Sequence, residues 1–137
     1  LRKNKEDKIM PPDNHYSPVR LIQKDALRFQ DVEVFRYDIF SEDLSLTVGY
    51  CYLIGNSPRQ DDTGNIGYCI DEKYRRRGYG KSACRSLLKL AGIRGMSEVY
   101  IACRTDNRAS ERIIEYLGGV LAGNTDAGLL LWRIDII

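Results

Sequence analysis

IGYCIDEKYRRRGYGKSACRSLLKLAG, residues 66–92, is the stretch on which the fold turns. It opens as a short apolar run, IGYCI (66–70), and passes through the polar Asp71-Glu72-Lys73 into a loop with two glycines. Then the period changes. Ala83, Leu87, Leu90 and Ala91 fall on one face of a 3.6-residue repeat, and Lys81, Arg85, Lys89 and Arg94 fall elsewhere. The pattern predicts a strand, a tight glycine loop and an amphipathic helix of about four turns, ended near Gly92 or Gly95.

The loop RRRGYGKS (75–82) admits three readings. A nucleotide-binding P-loop needs a glycine five residues before Gly80, because the chain there curls tightly around phosphate; Arg75 stands at that position, so the match fails where conformation matters. A nucleic-acid patch needs a spread basic surface. Arg75, Arg76 and Arg77 are contiguous, but the helical Arg85, Lys89 and Arg94 read more simply as a solvated face. The third reading is an anion cradle. Gly78 and Gly80 let backbone approach a ligand closely, the start of the helix supplies N–H groups and a positive dipole end, and the arginines add charge.

Working outward, VEVFRYDIF (32–40) and LSLTVGYCYLI (44–54) alternate with period two around Ser-Glu-Asp and predict an antiparallel hairpin. Strict alternation puts Leu44, Leu46, Val48, Tyr50, Tyr52 and Ile54 on one core face. NSPRQDDTGN (56–65) is a loop by composition. EVYIAC (98–103) is a strand. Asp106 or Asn107 can cap a short helix with Ile113, Ile114 and Leu117 inward and Gly118-Gly119 as its stop; VLA (120–122) and LLLWRIDII (129–137) follow as strands around GNTDAG. The region ahead of Val32 reads as loop-like, with residues 1–18 a polar tail and room for a short strand near Val19 to Ile22. His15, the only histidine, falls in that tail without a metal-ligating neighbour. The order β-β-β-α-β-α-β-β, after a short N-terminal segment, predicts one α+β domain over 1–137: a mixed, mostly antiparallel sheet flanked by helices.

The bulk numbers are those of an ordinary globular chain. Of 137 residues, 43% are hydrophobic and 29% charged, and the net charge of +2 is too balanced to predict a nucleic-acid partner. No apolar run reaches the length of a membrane span, so no membrane partner is expected. Cys51, Cys69, Cys84 and Cys103 lie far apart in apolar runs; they read as reduced, buried thiols of a cytoplasmic protein, and no metal site is expected. The chain opens on Leu1 rather than Met, which leaves a preceding segment open.

GYCI, DEKY and then Arg75-x-x-Gly78-x-Gly80 on a helix resemble the acetyl-CoA motif of the GNAT N-acyltransferases. A second segment, Asp106-Asn107-Arg108-Ala109-Ser110 closing on Gly118-Gly119, resembles that family's Asn-x-x-Ser/Ala helix, in the right order and at the right separation. The resemblance covers roughly 32–137 and is greatest to a bacterial branch of predicted acetyltransferases without assigned substrates. It implies acetyl-CoA as co-substrate and direct attack of an amine on its thioester. Tyr68, Cys69 and Ile70 would present backbone groups to the pantetheine arm. Arg75, Arg76, Arg77, Gly78, Tyr79, Gly80 and Lys81 would surround the pyrophosphate. Asn107 would reach the pantetheine or simply cap its helix, and an N–H near Ile70 would polarise the thioester carbonyl.

Two departures from the family pattern stand out. Many relatives carry a tyrosine seven residues after the motif asparagine as the acid for the leaving thiolate; here that position is Ile114, and Tyr116 is turned about 200° away. No base announces itself: Glu33, Asp38 and Asp71 are candidates that read equally as solvated carboxylates. The helices that shape the family's acceptor pocket are also short or missing ahead of Val32, which leaves that side open or completed by a second subunit in a homodimer. The acceptor, a small-molecule or peptide amine, is unreadable. The alternative is a CoA-binding regulatory or interaction module without catalysis.

Overall fold

The computed structural model describes residues 17–136. Those residues form β1 (Val19–Phe29), β2 (Val32–Ser41), β3 (Leu46–Ile54), β4 (Ile66–Ile70), α1 (Tyr79–Ile93), β5 (Glu98–Cys103), α2 (Arg108–Tyr116), β6 (Val120–Asn124) and β7 (Leu130–Asp135). The strands make an antiparallel sheet ordered β1-β2-β3-β4 and a second, antiparallel too, ordered β5-β7-β6. This is the expected α+β architecture with one strand added at the front. His15 and most of the tail lie outside the described residues.

The added strand corrects the loop-like reading of the region before Val32. β1 pairs with β2 from Val19↔Ser41 to Phe29↔Val32 and leads into it through a tight turn at Gln30-Asp31, with a register irregularity between Gln23 and Asp25. Its charges hid it. Lys24, Asp25 and Arg28 break the alternation, yet they suit an edge strand, where charge discourages pairing with other chains. They also reach across the ladder: Lys24 to Asp38 at 3.6 Å, Arg28 to Glu33 at 3.3 Å, and Asp25 to Arg36 at 2.8 Å.

A bulge corrects the second expectation. Ile39 pairs with Gly49 but Phe40 pairs with Thr47, so Val48 is the extra residue on β3. One extra residue flips the side-chain parity beyond it. Val48 is fully buried, and so are Cys51 and Leu53, while Tyr50 is 57% exposed and Tyr52 half-buried. Tyr50 and Tyr52 therefore stand on the outer face, not in the core.

The inner face packs on α1. Ala83, Cys84, Leu87 and Ala91, the predicted stripe with Cys84 in place of the half-buried Leu90, lie in one core with Phe35, Tyr37, Ile39, Val48, Cys51 and Leu53. Full burial of one such leucine is worth about 2–3 kcal/mol. The helix stops as expected, at Gly95 in a left-handed conformation (φ +86°), with the Met96 N–H returned to Ala91 O.

The two sheets share one core and are joined through backbone hydrogen bonding at Asn65 and Tyr100. The Asn65 N–H donates to Tyr100 O at 2.7 Å, and the Tyr100 N–H donates to Asn65 Oδ1 at 3.0 Å. Gly64 permits the approach: a Cβ there would sit 2.6 Å from Tyr100 O. Beyond this junction β4 and β5 do not pair, and a cleft opens between them.

Candidate functional site

β4 presents a free backbone edge to the cleft. Asn65 O accepts from the Ile54 N–H, and the Asp71 N–H donates to Val48 O, so both face β3. Backbone groups alternate along a strand, which turns the amides of Tyr68 and Ile70 toward the cleft and that of Cys69 toward β3. The Ile70 carbonyl is taken from the cleft side by Arg75 Nε at 2.8 Å.

The chain then turns through a single 3-10 turn at Glu72–Tyr74 and crosses the arginine loop with Arg76 at φ +65° and Gly78 at φ +87°. Left-handed backbone at a non-glycine residue such as Arg76 is a strained conformation, of the kind found at ligand-binding loops. Ser17 Oγ bonds to Arg77 O. Gly78 has no side chain to cap α1, and the first helical bond is Ser82 N–H to Gly78 O at 3.1 Å. The Tyr79 and Gly80 amides thus open the helix without intrahelical carbonyl partners, which is the donor set an anion uses. Tyr79 contributes backbone only. Its ring is buried, and its hydroxyl lies 3.0 Å from Ser41 Oγ, which anchors the loop to the β2–β3 turn.

Across the cleft, Asn107 caps α2 by accepting the Ser110 N–H at 3.1 Å. The Tyr68 ring crosses from β4, passing so close to α1 that a Cβ on Gly80 would lie 2.7 Å from it, and its hydroxyl stands 3.0 Å from Ser110 Oγ. Burial, with the Cys84 and Cys103 thiols nearby, pushes the Tyr68 phenol up to about 12. Lys81 Nζ sits 4.2 Å over the Tyr116 ring, and burial lowers the lysine's pKa.

Two cavities result. One, of about 870 Å³, is bounded by the arginine loop, Ser17, Tyr74, the start of α1 and the Asn107–Ile113 side of α2. The other, of about 250 Å³, opens beside Tyr50 and Tyr52 and is walled by Ile101, Arg104 and Leu129. They share Tyr68, Asn107 and Ser110.

The larger cavity gathers every residue the sequence proposed for the cofactor: Tyr68, Cys69, Ile70, Arg75 through Lys81 and Asn107. The proposed catalytic carboxylates are not gathered. Glu33 is ion-paired to Arg28 at the far end of the β1–β2 hairpin, Asp38 faces Lys24, and Asp71 follows β4 as an exposed residue; none lines either cavity. Tyr116 packs under Lys81 and lines neither. Ile114, in the family's tyrosine position, is fully buried. Sequence reasoning carried Ser110 only as the serine of the Asn-x-x-Ser/Ala helix and gave it no role, and it singled out neither Arg104 nor Arg112, which carried no spacing signal. Among the described residues no group of His, Cys, Asp and Glu is arranged to hold a metal.

The chemistry of this donor set fits a long, phosphate-bearing ligand with an amide arm: cations and first-turn amides at one end, a free strand edge at the other. Comparison with solved structures gives the same fold. An acetyltransferase from Agrobacterium tumefaciens superposes with a TM-score of 0.61 at 20% identity, over 72% of this chain and 58% of its own. The ribosomal L7/L12 alpha-N-protein acetyltransferase RimL gives 0.60 at 22%, over 75% and 70%. A spermidine N-acetyltransferase SpeG chimera from Vibrio cholerae and hSSAT gives 0.60 at 13%, over 74% and 66%. The chain thus spans about three-fifths to seven-tenths of the length of these proteins. A search of the curated proteins gives no significant match. The family model described as an acetyltransferase (GNAT) domain matches residues 6–120, most of the sequence, and the chain belongs to the GNAT acetyltransferase family.

Proposed function

We propose that this chain is an N-acetyltransferase that uses acetyl-CoA and transfers the acetyl group by direct attack of an amine. The observation that carries the reading is the pair of cavities that share the Tyr68–Ser110 junction, one large and lined by arginines, the other small and phenol-lined. Acetyl-CoA fits the larger: Arg76, Arg77 and the Tyr79 and Gly80 amides for the pyrophosphate, the β4 edge at Tyr68 and Ile70 for the pantetheine. The thioester is the activated acyl group; the Ile70 N–H is the donor available to its carbonyl, and charge developing there is stabilised by such a fixed dipole.

The acceptor enters by the smaller cavity. RimL and SpeG are named for a protein α-amine and for spermidine. No Asp or Glu is among the described residues lining the smaller cavity, whereas Arg104 is. A polycation finds no counter-charge there, which favours a monoamine such as a peptide N-terminus. We read residues 1–137 as one such domain with a cytoplasmic home, in keeping with free thiols at all four cysteines.

Calorimetric titration with acetyl-CoA, CoA and ATP tests the cradle, followed by thiol release with a short free-α-amine peptide and with spermidine. Binding of the first two ligands but not ATP, and release with the peptide, is the expected result. No Asp or Glu is among the described residues lining either cavity, which favours a second reading, a CoA-binding module without turnover; it predicts binding with no thiol release from any amine.

A further inference from the structure

The proposed reaction needs one proton to leave the amine and one to reach the thiolate, yet among the described residues the acid and base candidates that the sequence offered lie elsewhere. Glu33, Asp38, Asp71 and Tyr116 line neither cavity, and Ile114 has no proton to give. Among the described residues, Tyr68, Asn107 and Ser110 are the ones that line both cavities, which places their side chains where the two proposed substrates would meet. The Asn107 carbonyl oxygen is engaged as a helix cap. The remaining pair, Tyr68 Oη and Ser110 Oγ, are 3.0 Å apart, and either can be the donor.

Resting on the transferase reading, the geometry points to Tyr68 and Ser110 as a two-hydroxyl proton relay that carries the amine's proton to the departing sulfur. The amine arrives neutral and its nitrogen bonds to the acetyl carbonyl carbon. The C–S bond breaks and its electron pair stays on sulfur. One hydroxyl of the pair gives its proton to sulfur, takes the proton of the other, and that one takes the proton the nitrogen sheds. An amide and a neutral thiol leave, and both hydroxyls end as they began. No carboxylate base and no standing phenolate are required. Burial agrees with this: a phenol held near 12 stays protonated, so it can pass a proton only while receiving one. Its titratable neighbours, Cys84 on α1 and Cys103 on β5, are themselves pushed up by burial and stay neutral.

The structure also explains why the ring is held so closely. Tyr68 belongs to the row Tyr37–Cys51–Tyr68 on the inner face, and its ring fills the space left by the missing side chain of Gly80. The hydroxyl is thereby aimed from a strand, a rigid element, at a serine fixed near the capped start of α2.

Tyr68→Phe keeps the ring and removes the hydroxyl. With the peptide amine, kcat should fall roughly 100-fold, the usual size of a lost acid–base group, with acetyl-CoA affinity by calorimetry unchanged. The solvent deuterium isotope effect on kcat should drop toward one, which a packing defect would not cause. Ser110→Ala should lower kcat in the same way. Independently of turnover, the wild-type chain should bind CoA about fivefold tighter than desulfo-CoA through a hydroxyl–sulfur contact, and Tyr68→Phe should lose that margin. Turnover unchanged in Tyr68→Phe, or a margin that survives it, overturns the relay and leaves the transferase reading standing. A wild-type chain that binds acetyl-CoA but releases no thiol with the peptide or spermidine overturns both.

Discussion

At Asn65 every hydrogen-bonding position of one side-chain amide is occupied. Oδ1 accepts from Arg59 N–H and Tyr100 N–H, both at 3.0 Å, and Nδ2 donates to Ile54 O at 3.0 Å and Ser57 O at 2.9 Å. The residue is fully buried, so Asn65→Ala would strand several backbone groups without water; a loss of roughly 3 kcal/mol or more is expected, readable by urea unfolding. At Gly78 the demand is conformational. With φ at +87°, Gly78→Ala should cost about 1 kcal/mol and weaken CoA binding through a shifted loop, checked by thermal melting alongside calorimetry. Gly80 differs from Gly78 in kind: its partner is the Tyr68 ring, so even Gly80→Ala should move the phenol and cost turnover as well as affinity.

Elements were unevenly legible in the sequence. β4, the arginine loop, α1 and α2 were readable because turn chemistry, capping and period all agree over those residues. Two features were not. β1 hides behind Lys24, Asp25 and Arg28, charges that an edge tolerates and a period-two reading discards. The bulge at Val48 leaves no signature in composition, yet it decides which face of β3 carries Tyr50 and Tyr52. The site shows the same division: the cradle follows the chain and was readable, while the Tyr68–Ser110 contact joins residues 42 apart and was not. Beside the bulge, Gly49 lies so close to β4 that a Cβ would sit 2.9 Å from Ile70 Cα. Gly49→Ala should therefore push β4 from β3, lowering stability by about 1–3 kcal/mol and weakening CoA binding, since the displaced residues are Cys69 and Ile70; melting and calorimetry read both.

For the whole molecule, acid is the expected route to unfolding. Hydrogen bonds from Arg36 and Arg104 hold Asp25 and Asp106 below the usual carboxylate range. Burial works against the charge on Asp61, but the Thr63 hydroxyl, the Gly64 and Thr63 N–H groups and Arg59 outweigh it and hold that pKa down too. Depressed folded-state values mean stability that is present above the unfolded pKa and lost as pH falls through the folded one, so unfolding free energy should decline below about pH 4. Asp61→Asn should flatten that decline, measured by urea titration at several pH values. Thiol reactivity is a second global readout. Cys51 is pushed up to about 12 by burial, and Cys84 and Cys103 are raised and buried, while Cys69 is half-buried. A bulky disulfide reagent should modify Cys69 well ahead of the other three, which should react on unfolding.

The junction at Asn65 also gives the cleft a rivet at its closed end, like that of a pair of compasses. From that pivot the arm Ile66–Ile70 extends roughly 17 Å, so a rotation of about 2° swings its tip by roughly 0.6 Å. Acyl transfer is sensitive to misplacement on that scale. A slight loosening of one amide at the closed end would be magnified at the open end, where the proposed transfer would take place, and the rate of that transfer should report on the rivet before a melting curve does.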